Sequence, residues 1–205
     1  MDIEHLLSVK NRSELRAWFL ENHLTQKLCW VVVSMTPKLG TLLYLDAVEE
    51  ALCFGWIDGI KKRTPDNLTA QRFSPRAKKS SWTELNKERV RRLERLGLMT
   101  PQGRTVLPDM REDAFVIDPV IMQRLKEDSQ AYAHFLAFPP LYQRIRIDTI
   151  QSVKAEPELF RQRLEKFIRQ TRENKMCGGW NDNGRLLQGL GGSSPSFNTG
   201  ELKNQ

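Results

Sequence analysis

The apolar run KLCWVVVSM at residues 27–35 is the feature of the sequence that most constrains the fold. It is short, rich in β-branched side chains and nearly free of polar residues, a pattern typical of a buried β-strand. Pro37 and Gly40 interrupt the pattern directly after it. We therefore predict a buried strand near the N-terminus that ends in a turn.

Two helices are predicted on either side of this strand. Leu6 and Leu7 are assigned to a first helical segment, and the helix restarts at Ser13, which can act as its N-cap. Residues 41–54 have the apolar periodicity of an amphipathic helix, in which Cys53 lies on the face turned away from the core. The N-terminal part of the chain is therefore expected to contain both helix and strand.

A β-hairpin followed by a further helix is predicted next. WIDGIKKRT at residues 56–64 and LTAQRFSPR at residues 68–76 flank the tripeptide PDN, which favours a tight reversal of the chain. Ser81 and Glu84 match the capping box S-x-x-E, so we expect a helix to begin there. Gly97 is its natural left-handed stop.

The composition changes after Gly103, and the rest of the chain is predicted to be mostly helical. Asp118 and Pro119 form a good helix start. The expected helices lie at residues 119–128, 130–137, 141–154 and 157–175. The predicted fold class is α+β, with N-terminal helices and a small antiparallel sheet followed by a mostly helical C-terminal region. The expected division is an α+β domain at 1–104, a linker at 105–118, a helical region at 119–190 and a disordered tail at 191–205.

The positive charge of the chain is concentrated in one segment. The net charge is +7, yet residues 61–104 contain thirteen Lys and Arg residues and only four acids, a local net charge of +9. Such an excess favours an anionic ligand, a nucleic acid or an acidic protein partner. A solvated face that keeps the protein in solution is an equally consistent interpretation.

Sequence signatures of common enzyme classes are absent. There is no P-loop, dinucleotide fingerprint or G-x-S-x-G, and no Cys or His spacing suits zinc, so we expect neither a metal nor a cofactor. Cys53 lacks a neighbouring base in the sequence that would activate it as a nucleophile. No apolar run is long enough to span a bilayer, and the N-terminus lacks the pattern of a secretion signal. A cytoplasmic location is therefore expected.

The segment RFSPRAKKSSW at residues 72–82 is the strongest candidate for a binding site. Its cations and hydroxyl groups could hold phosphate or carboxylate oxygens, and its aromatic side chains could stack on a nucleic-acid base. The candidate anion ligands are Arg72, Ser74, Arg76, Lys78, Lys79 and Ser80, with Phe73 and Trp82 as the aromatic pair. Alternatively, the two aromatic side chains face the core and the cations are only solvated.

Arg89 is an anomaly within the helix that follows. Helical geometry places Arg89 and Asn86 on the same face as several apolar residues, and a buried charge must be paired or line a polar cleft. We favour a structural ion pair, with Glu49, Glu50 or Asp58 as the carboxylate. The segment GGWND at residues 178–182 could cover a pocket, although docking of the tail against the protein body explains it as well.

The segments EEALCFGWIDG and RFSPRAKKSSWTELNKERVRRLERLGLMTPQG together resemble the bacterial YdeI/OmpD-associated family, also called bacteriocin-protection proteins. The resemblance extends over roughly residues 5–185, and the C-terminal part matches more loosely. It implies a link to envelope stress and resistance to antimicrobial peptides, but no established reaction. The positions that match the family motif are Trp56, Asp58, Phe73, Ser74, Pro75, Arg76, Ser80, Trp82 and Asn86.

Three functions are compatible with these observations. We favour a non-enzymatic binding protein whose hairpin, loop and helix hold an anionic partner. The alternative is an enzyme in which Arg76 and Arg89 hold a small phosphorylated or carboxylated substrate and Asp58 or Glu49 acts as the base. The third is a protein-interaction module that docks through residues 119–175, which would require a large exposed apolar patch.

Overall fold

The predicted α+β class is confirmed by the computed structural model, which describes residues 3, 5–77 and 80–188. Short strands and helices alternate in the N-terminal half, and helices alone follow. The strands are β1 (Leu6–Leu7), β2 (Cys29–Ser34), β3 (Leu42–Leu43), β4 (Trp56–Arg63) and β5 (Thr69–Pro75). The helices are α1 (Arg12–Asn22), α2 (Tyr44–Cys53), α3 (Glu84–Arg95), α4 (Pro101–Arg104), α5 (Pro119–Lys126), α6 (Ser129–Ala137), α7 (Pro140–Gln151) and α8 (Pro157–Arg172).

The sheet has the order β1-β2-β5-β4, and β3 pairs with the far end of β2. β5 lies antiparallel to both β2 and β4, which confirms the buried strand and the hairpin. β1 and β3 run parallel to β2, so the sheet is mixed rather than wholly antiparallel. The register pairs Cys29 with Phe73 and Asp58 with Phe73, and a bulge follows Asp58.

The helix predicted at Leu6 and Leu7 is wrong. These residues form β1 and pair with Trp30 and Val31 of β2, because backbone pairing at the edge of the sheet outweighs a weak local preference for helix. α1 begins at Arg12, and Asn11 rather than Ser13 is its N-cap, with the Asn11 side chain accepting from the Glu14 N–H.

α2 is buried on every side from Ala47 to Cys53, so the predicted outward orientation of Cys53 is wrong. The helix packs against α1, α3, α4 and the sheet, and these neighbours enclose the face that the sequence marks as polar. Gly55 follows with φ +75°, a left-handed conformation that confirms the predicted stop. Burial of α2 also places Glu49 and Glu50 in the interior, where both need cationic partners.

The predicted capping box at Ser81 and Glu84 is wrong, since α3 begins at Glu84 with Thr83 as its N-cap. The Thr83 hydroxyl accepts from the Asn86 N–H, and Asp148 of α7 accepts from the Glu84 N–H at 3.0 Å. A side chain distant in sequence therefore helps to determine where α3 starts. The predicted end of α3 at Gly97 is confirmed by its φ of +67°.

Two hydrophobic cores lie on either side of α3. The first is formed by α1, α2, the sheet and the Val90 and Leu93 side chains of α3. The second is formed by α5 to α8 together with Trp180 and Leu186 from the segment after α8. The predicted domain boundaries at 104 and 119 remain a prediction, and the predicted disordered tail at 191–205 lies outside the described residues.

The helical C-terminal region follows its sequence pattern closely. The Asp118 side chain accepts from the Val120 N–H, which confirms the predicted helix start at Pro119. The apolar stripe of α8 buries Leu164 and Phe167 in the second core. Within residues 5–77 and 80–188, no helix is long and apolar enough to cross a membrane.

Candidate functional site

The hairpin places the predicted motif residues next to one another, but not all of them are accessible. Trp56 and Phe73 are fully buried in the first core, so neither can stack on a ligand. Trp82 is half-buried and lies at the edge of that core. Of the aromatic side chains predicted in this surface, only Trp82 is positioned to contact a bound molecule.

Arg76 lies just after β5 and is buried, with 8% of its surface exposed. Its guanidinium carbon is 3.7 Å from the centre of the Trp82 ring, and its Nη2 donates to the Ser81 carbonyl. Its Nε and Nη1 have no hydrogen-bond partner. Among the described residues no carboxylate oxygen lies within 4.0 Å of its guanidinium nitrogens. Arg76 is thus a buried cation without a carboxylate partner.

Burial lowers the pKa of Arg76, and the nearby charge of Asp58 only partly offsets this effect. Asp58 itself is engaged elsewhere, because its Oδ2 accepts a hydrogen bond of 2.6 Å from the Tyr44 hydroxyl. Burial and this hydrogen bond raise the pKa of Tyr44. Asp58 and Tyr44 therefore form a neutral-donor pair between Arg76 and the neighbouring cleft.

Arg89 forms the structural ion pair that its position predicts, but with an unexpected partner. Its Nε and Nη2 donate to the two carboxylate oxygens of Asp182 at 2.7 and 2.8 Å, and its Nη1 donates to Asn86 at 2.8 Å. Burial acts to lower the pKa of Arg89, and the hydrogen bonds to Asp182 outweigh it, so the net shift is upward. None of the predicted partners, Glu49, Glu50 and Asp58, forms this pair.

The segment after α8 supplies this partner and docks onto the N-terminal half. Trp180 is buried with its ring centre 5.5 Å from that of Tyr142, and Asp182 and Asn183 have positive φ angles of 51° and 57°. These conformations direct the Asp182 carboxylate toward α3. The acid in GGWND was the available signal in the sequence, but its distance along the chain from Arg89 concealed it.

A cleft of about 520 Å³ lies where this docked segment meets α3, the start of α2 and the connection between β2 and β3. Its lining includes both members of the Arg89–Asp182 pair, the Tyr44 ring and Arg185. The N-cap residue of α2, Leu43, provides no side-chain hydrogen bond, so the first N–H groups of this helix lack a side-chain cap at the cleft. The cleft is thus polar on three sides.

Glu49 and Glu50 are fully enclosed by arginine side chains. Glu49 accepts from Arg12, Arg92 and Arg185 at 2.7, 2.8 and 3.1 Å, and is 0% exposed. Glu50 accepts from Arg12 and Arg16. A carboxylate held by several cations is a poor proton acceptor, so Glu49 is unsuited to the role of a general base.

Acids elsewhere in the fold neutralise much of the basic segment. Six of its thirteen cations form ion pairs, and the partners Glu49 and Asp182 come from outside residues 61–104. The paired cations are Lys87, Arg89, Arg91, Arg92, Arg95 and Arg104. The local excess of positive charge in the sequence is therefore considerably smaller in the folded protein.

The other predicted anion ligands are less distinctive. Arg72 and Ser74 are half-buried on β5, and the Ser80 hydroxyl donates to the Ala77 carbonyl at 2.9 Å. Lys78 and Lys79 lie outside the described residues. Arg76 is therefore the member of the predicted set whose surroundings depart most from those of an ordinary surface residue.

Covalent catalysis by the buried cysteines has no support in the geometry. Burial raises the pKa of Cys29 to about 12, and burial followed by the charge of Glu50 raises the pKa of Cys53 to about 12. Thiols with such pKa values are protonated near neutral pH and are weak nucleophiles. Across residues 5–77 and 80–188, no group of three His, Cys, Asp or Glu side chains could hold a metal ion.

Comparisons with known proteins divide the chain at the same place as the two cores. Residues 7–106 match a domain of unknown function (DUF8412), and this match includes the motif segments quoted above. Residues 114–174 match the family described as Bacteriocin-protection, YdeI or OmpD-Associated. No curated protein and no solved structure matches the chain. The resemblance to the YdeI/OmpD-associated family is thus confirmed, and it rests on the helical region at residues 114–174.

Proposed function

We propose that this protein is a non-enzymatic binding protein that holds a small anionic ligand, a phosphate or a carboxylate, at Arg76. The observation that carries the proposal is the burial of this guanidinium without a carboxylate partner and with two unsatisfied donor nitrogens. An isolated buried charge is destabilising, and an oxyanion would accept hydrogen bonds from both free nitrogens. The unpaired cation is therefore the cost of keeping a site ready for an anion.

The ligand reaches Arg76 from the side of Trp82. Because Nε and Nη1 have almost no accessible surface, the Trp82 ring has to move aside before an anion can contact them. The interaction between guanidinium and ring holds this cover in place while the site is empty. Displacement of Trp82 on binding would change its fluorescence, which provides a direct signal.

A small ligand has more support than a nucleic acid or an acidic protein partner. Six cations of the basic segment are already paired within the fold, as described above, which leaves a weaker field for a polyanion. Two others lie over aromatic rings, with Lys61 Nζ 4.2 Å from the Tyr44 ring centre and Lys62 Nζ 5.2 Å from that of Trp30. A single unpaired guanidinium suits one anionic group rather than a regular array of phosphates.

The enzymatic alternative has less support from the geometry. Arg89 is held by Asp182 and Glu49 by three arginines, so neither is free for the role that the sequence suggested. Asp58 remains a candidate base near Arg76, but it already accepts a short hydrogen bond from Tyr44. The interaction-module alternative also has little support, because within residues 119–175, all of them described, only Val120 and Leu136 are large exposed apolar residues.

The test is a titration with inorganic phosphate and with acetate, followed by tryptophan fluorescence and isothermal calorimetry. We expect saturable binding by the native protein and a loss of at least about tenfold in affinity for Arg76→Met, since a hydrogen bond to a charged group is worth roughly 1.5–3 kcal/mol. Arg63→Met, at the exposed tip of the hairpin, removes the same charge and should bind as the native protein does. Trp82→Phe should abolish most of the fluorescence change while calorimetry still reports binding.

Equal affinity of Arg76→Met and the native protein would contradict the proposal. Oligonucleotides titrated at low and physiological salt provide the contrasting measurement. Steeply salt-dependent oligonucleotide binding that Arg76→Met leaves unchanged would favour a nucleic acid as the partner.

The proposal extends to the location and the wider role of the protein. Three unpaired cysteines support a reducing compartment such as the cytoplasm. If the chain shares a role in bacteriocin protection or envelope stress, we infer that it acts through its anionic ligand, because a net charge of +7 disfavours direct capture of cationic peptides. Complementation of a sensitive deletion strain by the native protein but not by Arg76→Met would support this link.

A further inference from the structure

A second cleft, of about 320 Å³, lies between α7, α8 and the start of the segment that follows α8. It belongs to the region that matches the YdeI/OmpD-associated family and is built from elements other than those that form the Arg76 site. Its lining combines three cations with apolar side chains and a thiol, namely Arg146, Arg163, Lys166, Ile150, Phe167 and Cys177.

The three cations have no acidic partner. Elsewhere in the described part of the chain most arginines form ion pairs, but none of Arg146, Arg163 and Lys166 has a carboxylate oxygen within 4.0 Å. No Asp or Glu lines the cleft. Three like charges around one cavity repel one another, and the repulsion is relieved if an anion occupies the space between them.

Backbone carbonyl groups orient the two arginines without neutralising them. Arg146 Nη2 donates to the Cys177 carbonyl at 2.9 Å, and Arg163 Nη1 donates to the Thr149 carbonyl at 2.7 Å. The second bond satisfies a free carbonyl near the C-terminal end of α7, whose dipole would otherwise oppose an anion. Arg146 Nε is buried and has no partner, so donor capacity remains at the cleft.

The rest of the cleft is suited to an apolar group. Phe167 belongs to the second core and presents part of its ring at the base of the cavity, and Ile150 lies beside it. The Cys177 thiol is half-buried and unpaired, and its backbone N–H is held by the Tyr142 hydroxyl at 3.0 Å. The position of Cys177 in the lining makes its reactivity a measure of whether the cleft is occupied.

We propose that the cleft between α7 and α8 is a second ligand site, which takes a small molecule with an oxyanion, phosphate or carboxylate, attached to an apolar group. Arg146, Arg163 and Lys166 hold the oxyanion, and Ile150 and Phe167 contact the apolar part. The inference rests on the unpaired cations of this cleft and does not depend on the proposed role of Arg76.

The experiment uses the full chain with Arg76→Met, so that binding at the first site does not contribute. Calorimetry with phenyl phosphate is expected to show one saturable site, with inorganic phosphate at least about tenfold weaker because it lacks the apolar group, and with phenol silent. Phenyl phosphate should also slow the alkylation of Cys177 by iodoacetamide, located by mass spectrometry. Cys29 and Cys53 are fully buried and serve as internal references.

Variants then locate the site. Arg146→Met and Arg163→Met should each weaken phenyl phosphate binding about tenfold or more, whereas Arg169→Met removes one charge from an exposed position of α8 outside the lining and should change affinity by less than about threefold. Lys166→Met, at an exposed position, provides a variant with little risk to folding.

Three results would overturn the proposal. They are equal binding by Arg146→Met, Arg163→Met and Arg169→Met, phenol binding as tightly as phenyl phosphate, and unchanged alkylation of Cys177 in the native protein at millimolar phenyl phosphate. Loss of phosphate binding in Arg76→Met with retained phenyl phosphate binding at this cleft would support both sites independently.

Discussion

Arg89 and Arg76 are buried to the same extent, with 9% and 8% of their surfaces exposed, yet their surroundings differ. Arg89 is gripped by both oxygens of Asp182, and its pKa is raised. Arg76 is held by a single backbone carbonyl and the Trp82 ring, and burial lowers its pKa. The first region has the electrostatics of a structural joint, whereas the second has those of a site that waits for an anion.

The comparison extends to the elements around each arginine. In the region of α2 and α3, the buried carboxylates Glu49, Glu50 and Glu88 each contact at least two arginines. At the corner after β5 no such network surrounds Arg76. Removing one member of a buried pair is strongly destabilising because the other charge is left alone, while removing a charge without a partner leaves nothing uncompensated. Mutational stability therefore separates the two kinds of region.

The largest effect is expected for Glu49→Gln. Glu49 is fully buried and joins three arginines from three elements, so the neutral amide would leave all three cations without their shared anion. We expect the free energy of unfolding to fall by about 3–5 kcal/mol. Urea denaturation followed by circular dichroism measures it. Glu165→Gln, which breaks an exposed pair with Arg161, is the control and should cost less than about 1 kcal/mol.

A smaller and more diagnostic effect is expected from Arg89→Met compared with Arg76→Met. Arg89→Met strands the buried Asp182 carboxylate and should cost about 3 kcal/mol, part of which Asp182→Asn should restore, since Asn tolerates the positive φ of that position. Arg76→Met strands no carboxylate and should cost no more than about 1 kcal/mol. Equal losses for the two single variants in the same denaturation experiment would remove the distinction between structural joint and ligand site.

The smallest effect concerns Asp148, an acid that, like Arg76, has no partner of opposite charge. Burial raises its pKa, although the Glu84 N–H that it accepts acts in the opposite direction. A carboxyl group whose pKa is raised on folding contributes stability below its unfolded pKa of 3.8 and loses this contribution as the pH rises through the folded pKa. Asp148→Asn keeps the acceptor oxygen, so its stability relative to the native protein should improve from pH 3.5 to pH 7. A pH-independent difference would contradict this interpretation.

The sequence predicts the local elements of this protein well and its buried charges only in part. The strand at β2, the hairpin of β4 and β5 and the helical C-terminal region follow from apolar periodicity and from turn residues. The position of Arg89 within an apolar stripe correctly predicts an ion pair. Its partner Asp182 could not be identified, because the two residues meet only after the segment that follows α8 docks onto α3.

The boundaries that failed have the same physical origin. Leu6 and Leu7 form a strand because β2 offers a free edge, and α3 starts at Glu84 with the help of Asp148. Local propensities are worth a few tenths of a kcal/mol per residue, and contacts between distant segments readily outweigh them.

By itself, the sequence determined the α+β class, the order of most elements and the segment that contains Arg76. Only the tertiary structure decided which cations are neutralised, because ion pairing depends on distances of a few ångströms between residues remote in the chain. It paired Arg89 with Asp182, enclosed Glu49 among arginines and left Arg76 and the cleft between α7 and α8 without acids. Charge along a sequence is a sum, whereas charge available to a ligand is what remains after folding has paired the rest.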